Sequence, residues 1–369
     1  MQYYIVAGEP SGDLHGSNLI RALKEKDAQA DIRCWGGDMM EAVGGQLVKH
    51  YKDLAFMGFV EVAAHLNTIF KNISFCKKDI AAYQPDVLIL IDYPGFNLRI
   101  AEWAHQKGIK VVYYISPQVW AWKESRVKKI RQTVDKMLVI LPFEKAFYKK
   151  WNYEVEYVGH PLADVIEKAK KKGAGEQLSE RKIIALLPGS RKQEIQKKLP
   201  IMLKMVQHFP DYDFVIAQAP NQPNQIYDNI ISSFRETHIK RISGKTYKLL
   251  QRAEAALVTS GTATLETALF GVPQVVCYIG NPISYLVAKK LIKIKYISLV
   301  NLILDKEAVP ELIQGDLNEK RLKSTLTAIL KGEKRLQQLQ NYQHLQEILK
   351  EGNASEKAAT AILNLFLNK

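Results

Sequence analysis

Short apolar runs alternate with amphipathic stretches along most of the chain. Residues 3–7, 87–91, 111–115, 136–141 and 155–158 in the first half, and 183–187, 213–217, 238–242, 255–259 and 274–278 in the second, are short and largely apolar, the pattern of buried strands. Helical periodicity fills the gaps, as through Leu19, Ile20 and Leu23, near 199–209 and over 246–252. Strands separated by helices of this length predict parallel sheets in an α/β protein. From Leu317 the chain turns helical and polar, and it ends in an amphipathic helix over 354–367. With 369 residues there is room for about two cores. The polar stretch 168–182 has the composition of a linker, which sets domains at 1–167 and 168–345 with a helical tail, 346–369.

Strands that run through a glycine turn into a helix mark where ligands can bind. Strand 255–259 meets Ser260-Gly261-Thr262, and a helix of about ten residues follows, stopped by Gly271 and Pro273. The free N–H groups of such a helix start attract an anion, and glycine lets a phosphate come close. Glu266, one turn on, is placed either to accept two ribose hydroxyls or simply to complement the helix dipole from the surface. Strand 183–187 repeats the arrangement with Pro188-Gly-Ser-Arg191 and the polar helix opening Lys192-Gln-Glu-Ile195; Arg191 offers forked donors to a diphosphate. Two such turns suggest a nucleoside diphosphate, although neither fits the Walker or the dinucleotide fingerprint.

The first strand opens into Gly8-Glu-Pro-Ser-Gly-Asp-Leu-His-Gly16, which gathers Glu9, Ser11, Asp13 and His15 where a doubly wound sheet binds ligands; turn chemistry is the alternative. Asp92 stands at the carboxyl end of the most apolar strand, 87–91. A partly desolvated acid there has a raised pKa and suits general-base work, while an Asx turn or helix entry ahead of Pro94 is the alternative. Trp120 and Trp122 pack or line a sugar or acyl chain, and His160 precedes a proline as a turn residue or a ligand contact.

Composition narrows the partners. The balance of 52 Lys+Arg against 38 Asp+Glu, a net charge of +14, calls for something anionic: a nucleotide, a phosphorylated substrate, an acidic membrane surface or nucleic acid. The three cysteines lack metal-ligand spacing, no run approaches membrane-span length, and the start reads as a strand and not as a secretion leader. Residues 56–75, with Met57, Phe59, Val60, Leu66 and Phe70, are apolar on too many sides for a simple amphipathic helix. They form either core or a surface for acyl chains. The stretch 285–296 interleaves lysines and aliphatics, as either a membrane contact or a half-buried basic helix would.

Eight ordered motifs complete the picture: Gly8-Glu-Pro-Ser-Gly-Asp13, Phe56-Met-Gly-Phe-Val-Glu-Val62, Asp92-Tyr-Pro-Gly-Phe-Asn97, Ser116-Pro-Gln-Val-Trp-Ala-Trp122, Leu141-Pro-Phe-Glu-Lys-Ala-Phe-Tyr148, Pro188-Gly-Ser-Arg191, Ser260-Gly-Thr-Ala-Thr-Leu-Glu266 and Tyr296-Ile-Ser-Leu-Val-Asn301. In this order the chain resembles the lipid-A-disaccharide synthase family from residue 1 to about residue 350. The resemblance implies a GT-B fold, with two Rossmann-like lobes whose parallel sheets face a central cleft. It implies an inverting glycosyltransferase, without metal or cofactor, that moves 2,3-diacylglucosamine from UDP to 2,3-diacylglucosamine 1-phosphate to form a β-1,6-linked disaccharide. It further implies peripheral attachment to the inner face of the cytoplasmic membrane, and a C-terminal helix that returns to the first lobe or is exchanged in a homodimer.

By position, the resemblance makes Asp92 the base. Arg191 becomes a diphosphate contact beside the Ser260–Thr262 turn, Glu266 a ribose contact, and Asn301 a further donor-side residue. Glu9, Ser11 and the loop to His15 take the acceptor side. It also tips residues 56–75 toward lipid contact. Where some members carry a second acid after Asp92, this chain has Gly95, which argues against a mechanism using two carboxylates. Other two-lobed UDP-sugar enzymes, a 2-epimerase or a peptidoglycan N-acetylglucosaminyltransferase, are the rival reading. A nucleic-acid-binding protein, suggested by charge alone, has no motif to support it.

Overall fold

The computed structural model describes residues 1–54, 66–175, 177–234, 238–281, 285, 295–350 and 352–367. Met57, Phe59 and Val60 lie outside the described residues, as do residues 286–294 of the stretch 285–296. The chain forms two compact units, one of residues 1–161 with 351–369, the other of residues 162–350.

In the first unit the described strands are β1 (Gln2–Ala7), β2 (Asp31–Gly36), β3 (Gln46–His50), β4 (Val87–Ile91), β5 (Lys110–Tyr114), β6 (Lys136–Val139) and β7 (Glu156–Tyr157). They form one parallel sheet in the order β3-β2-β1-β4-β5-β6-β7. The apolar run of β4 is fully buried at all five positions, as a central parallel strand covered on both faces must be. Each such side chain contributes roughly 1.5–3 kcal/mol. The strand order reverses direction between β1 and β4, and that switch point is where an open α/β sheet takes its ligand.

The second unit repeats the plan with β8 (Lys182–Leu187), β9 (Tyr212–Gln218), β10 (Ile239–Ser243), β11 (Ala253–Thr259), β12 (Gln274–Tyr278) and β13 (Glu311–Ile313). The order is β10-β9-β8-β11-β12-β13, again all parallel, with its switch point between β8 and β11.

The helix that opens at Lys192 runs Lys192–Leu203, with Pro200 inside it; it stops short of the expected 209 and leaves only a short 3₁₀ turn at Val206–His208. Ile195, Leu199 and Met202 are buried. The stretch 168–182 is not all linker, because its first four residues belong to the helix Pro161–Lys171. That helix buries Leu162 and Ile166 in the second unit and turns its lysines outward. The C-terminal helix Ala354–Leu367 packs on the helix Pro10–Lys26 of its own chain and buries Ala358, Ala359 and Ile362.

Candidate active site

At the first switch point Ala7 pairs with Ile91, so the residues that follow, Gly8 and Asp92, stand side by side. The two strands then open into the helices Pro10–Lys26 and Pro94–Gln106. Asp92 and Tyr93 both adopt left-handed backbone angles, φ 45° and 48°, a conformation that costs on the order of 1–3 kcal/mol each outside glycine. Buried donors hold it in place. The Asn97 amide donates to the Asp92 and Ile91 carbonyls at 2.8 and 3.2 Å, and the Tyr113 hydroxyl donates to the Asp92 carbonyl at 2.5 Å. The Tyr93 ring lies flat against Gly8, where any Cβ would collide with it.

This turn presents the Asp92 carboxyl half-buried beside Glu9. Burial first, and the Glu9 charge second, push its pKa up to about 7. A carboxyl poised there is ionised in part at neutral pH and remains basic enough to accept a proton from a hydroxyl. Glu9 and Ser11 open the neighbouring helix, both half-buried.

Asp13 has a different role from its loop neighbours. Its carboxylate accepts the amides of Gly37, Met39 and Met40 at 2.9, 3.2 and 3.0 Å, satisfying the start of the helix Asp38–Ala42. His15 is buried, among the described residues its Nδ1 lacks a hydrogen-bond partner, and burial lowers its pKa to about 4. Burial first, and the neighbouring His15 second, lower the His160 pKa to about 3, so both imidazoles are neutral at physiological pH.

Two further motifs close around a buried acid. Glu144 accepts the Leu141 amide at 2.9 Å, and the Ile140 amide and the Trp120 indole at 3.3 Å each, while Ser116 and Tyr148 share a 2.6 Å hydrogen bond. Burial raises the Glu144 pKa to about 7. Trp120 is therefore a packing residue, edge-on to Phe143 at 4.9 Å. On the helix Leu66–Tyr83, Ile73, Cys76 and Ile80 are buried, whereas Phe70 and Phe75 are 57% and 45% exposed.

At the second switch point Leu187 pairs with Val258, which aligns the two predicted turns. Gly189 has φ 111°, and Arg191 caps the helix Lys192–Leu203 with its guanidinium more than half exposed, 3.9 Å from Glu194. Gly261, at φ 146°, caps the helix Thr262–Leu269, and among the described residues no side chain caps that helix start. The Thr264 amide donates to the Gly261 carbonyl at 3.1 Å; a helix start without a side-chain cap is otherwise the kind of place that takes an anion. Glu266 is half-buried. Tyr247 donates to its Oε1 at 2.9 Å, and burial raises its pKa.

Ser260 and Asn301 belong to a buttress behind this turn. The Ser260 hydroxyl donates to the Ile297 carbonyl at 2.8 Å. The amides of Ile297 and Ser298 donate to Glu311, each at 2.9 Å. Asn301 is fully buried. Its amide donates to Val309 O and Glu311 Oε1, both at 2.8 Å, and its oxygen accepts from Ala308 and Val309 at 2.8 and 2.9 Å. Those bonds use the hydrogen-bonding capacity of the side chain, so in this conformation Asn301 shapes the wall of the turn and does not reach into it.

Two α/β units, each with its loops gathered at a switch point, match the GT-B architecture of glycosyltransferases and nucleotide-sugar epimerases. Solved structures with this arrangement include the UDP-GlcNAc 2-epimerase from Neisseria meningitidis bound to UDP-GlcNAc, with a TM-score of 0.69 at 13% identity, covering 99% of this chain and 100% of that one. Another is the glycotransferase of kitacinnamycin, with a TM-score of 0.65 at 13% identity over 98% of both chains. These likenesses establish the fold.

Sequence identifies the family. The family model described as lipid-A-disaccharide synthetase matches residues 3–365. The chain is 39% identical to the lipid-A-disaccharide synthase of Syntrophus aciditrophicus (strain SB), over 98% of this chain and 97% of the relative. It is 38% identical to that of Pseudomonas putida (strain W619), over 99% and 98%. The chain belongs to the lipid-A-disaccharide synthase family and is a glycosyltransferase.

Proposed function

We propose that this enzyme transfers 2,3-diacylglucosamine from UDP to the 6-hydroxyl of 2,3-diacylglucosamine 1-phosphate, with inversion at the anomeric carbon and release of UDP. The observation that carries the reading is Asp92, a desolvated carboxyl held on a strained, cross-braced turn at a switch point. Asp92 takes the proton of the acceptor hydroxyl as its oxygen attacks the anomeric carbon, a step in which a positioned base contributes roughly 10²–10⁴-fold. In the second unit Arg191 and the N–H groups at the Gly261 turn take up the charge that grows on the departing diphosphate. Preorganised donors of this kind are each worth about 10²–10³-fold. Glu266 accepts the ribose hydroxyls. Glu9, Ser11 and His15 line the acceptor side.

The diacyl substrates suit work at the inner face of the cytoplasmic membrane. Exposed Phe70 and Phe75, together with Met57, Phe59, Val60 and Leu66, would meet acyl chains, and the +14 charge would draw the enzyme to anionic lipid. Among the described residues no helix is long and apolar enough to cross a membrane. Exchange of the helix Ala354–Leu367 between two copies could reuse its contact with Pro10–Lys26, and light scattering of the pure protein separates a homodimer from a monomer. The activity is tested by UDP release from UDP-diacylglucosamine in detergent with EDTA. Release should require diacylglucosamine 1-phosphate, persist with chelator and fall at least about a hundredfold in Asp92→Asn. Release without acceptor, or full activity of Asp92→Asn, contradicts the assignment.

A further inference from the structure

The helix Lys192–Leu203 carries a side chain that the diphosphate site described above leaves unused. Lys198 is 1% exposed, among Ile195, Leu199 and Met202 on the buried face. Among the described residues its ammonium has no hydrogen bond and no ion pair; it stands over the Tyr278 ring, 5.6 Å from the centroid. A buried ammonium without a hydrogen bond is costly, and an aliphatic residue would suit a purely structural position better.

Its location is not that of a random core residue. Lys198 follows Glu194 by four residues and Arg191 by seven, so all three share one helix face, and helical side chains lean toward the N-terminus. The pairing of Thr259 with Cys277 sets Tyr278 beside Ser260, and the pairing of Val258 with Leu187 brings Gly189 to the same level. The ammonium therefore lies in the row that carries both phosphate-sized turns. Burial holds the Lys198 pKa below the usual lysine value, while Glu194, packed over Gly189, opposes that shift.

We propose that Lys198 is the second cation of the diphosphate site, its buried ammonium taking a nucleoside diphosphate as the direct partner it does not find among the described residues. The inference rests on the donor-site reading above. It assigns to Arg191 the exposed side of the diphosphate and to Lys198 the side against the sheet.

The test is calorimetric binding of UDP and of uridine to the full-length wild type, Lys198→Met and Lys198→Arg. Met keeps the length and apolar character of the stem. It should lower UDP affinity roughly 10- to 100-fold, the loss expected for a charge-assisted contact. Uridine affinity should stay unchanged, and Arg should restore most of the loss. Thermal melting confirms that each variant is folded, and Lys198→Gln carries the same comparison should the Met variant not fold. If Lys198→Met melts higher and binds UDP as the wild type does, Lys198 is a core residue and the inference fails while the donor site stands. If the wild type itself prefers UDP to uridine by no measurable factor, the donor-site reading falls and the inference falls with it.

Discussion

The pKa of Asp92 makes a prediction that kinetics can reach directly. With the carboxyl lifted from 3.8 to about 7, only about one tenth of it is ionised at pH 6, so kcat/KM should drop close to tenfold for each pH unit below neutrality. An ordinary carboxylate would leave the profile flat from pH 5.5 to 8. The acceptor's own phosphate also titrates, near pH 6, and Glu9→Gln separates the two. Glu9 is the second cause of the Asp92 shift, so removing its charge should move the acid limb to lower pH, whereas a limb belonging to substrate phosphate would not move.

Stability supplies an independent readout of the same group. A carboxyl whose folded pKa is raised favours folding most below its unfolded value, near 4, and that contribution is lost as pH rises through the folded value, near 7. At 1.36 kcal/mol per pH unit the loss approaches about 4 kcal/mol. Asp92→Asn should therefore raise the melting temperature at pH 8 far more than at pH 4. The assays are initial rates of UDP release in mixed micelles from pH 5 to 9 at fixed ionic strength, and thermal melts at both pH values. A flat rate profile below pH 7, or a limb that Glu9→Gln leaves in place, refutes the role given to this environment.

Three other outcomes are expected. Asn301→Ala should destabilise the second unit by about 2–4 kcal/mol, because it strands the buried groups of Val309 and Ala308; thermal melting checks this, and a neutral effect would mean the buttress is dispensable. Gly261→Ala meets no steric obstacle for its Cβ but must adopt φ 146°, so it should cost about 1–3 kcal/mol and weaken UDP binding measured by calorimetry. Phe70→Ser with Phe75→Ser should reduce co-sedimentation with anionic vesicles while leaving UDP affinity alone; unchanged vesicle binding would remove these rings from the lipid-contact surface.

What the sequence made legible was the part written locally. Each of the four loops at the switch points announces itself as an apolar run, a small or acidic residue and a helix start within about ten residues. Strands β2, β3 and β13 lack that signature. In β2 the polar residue Arg33 is accommodated by a two-point hydrogen bond to Asp79, 46 residues away, which no local window detects. β3 is a half-exposed edge and β13 has three residues. The brace on Asp92 escaped for the same reason, since Tyr113 arrives from another strand. Lys198 hid because a lysine in a polar helix opening looks solvated until its neighbours are placed. Asp13 and Asn301 show the converse: polar residues inside ligand-like motifs whose partners prove to lie within the fold, backbone amides and carbonyls and, for Asn301, the Glu311 carboxylate.

The chain leaves the first unit at Pro161 and returns to it only at residue 351, so the second unit is an insertion of 189 residues within the first. During synthesis the inserted unit can finish folding while the one begun earlier still waits for its last helix. At about 5–20 residues per second that wait lasts roughly 10–40 s. Throughout it, the face of the helix Pro10–Lys26 that Ala358, Ala359 and Ile362 will cover is open to solvent. The opening segment of the protein is thus the last to be completed. Premature termination near residue 350 should leave a well-folded second unit attached to an aggregation-prone first one.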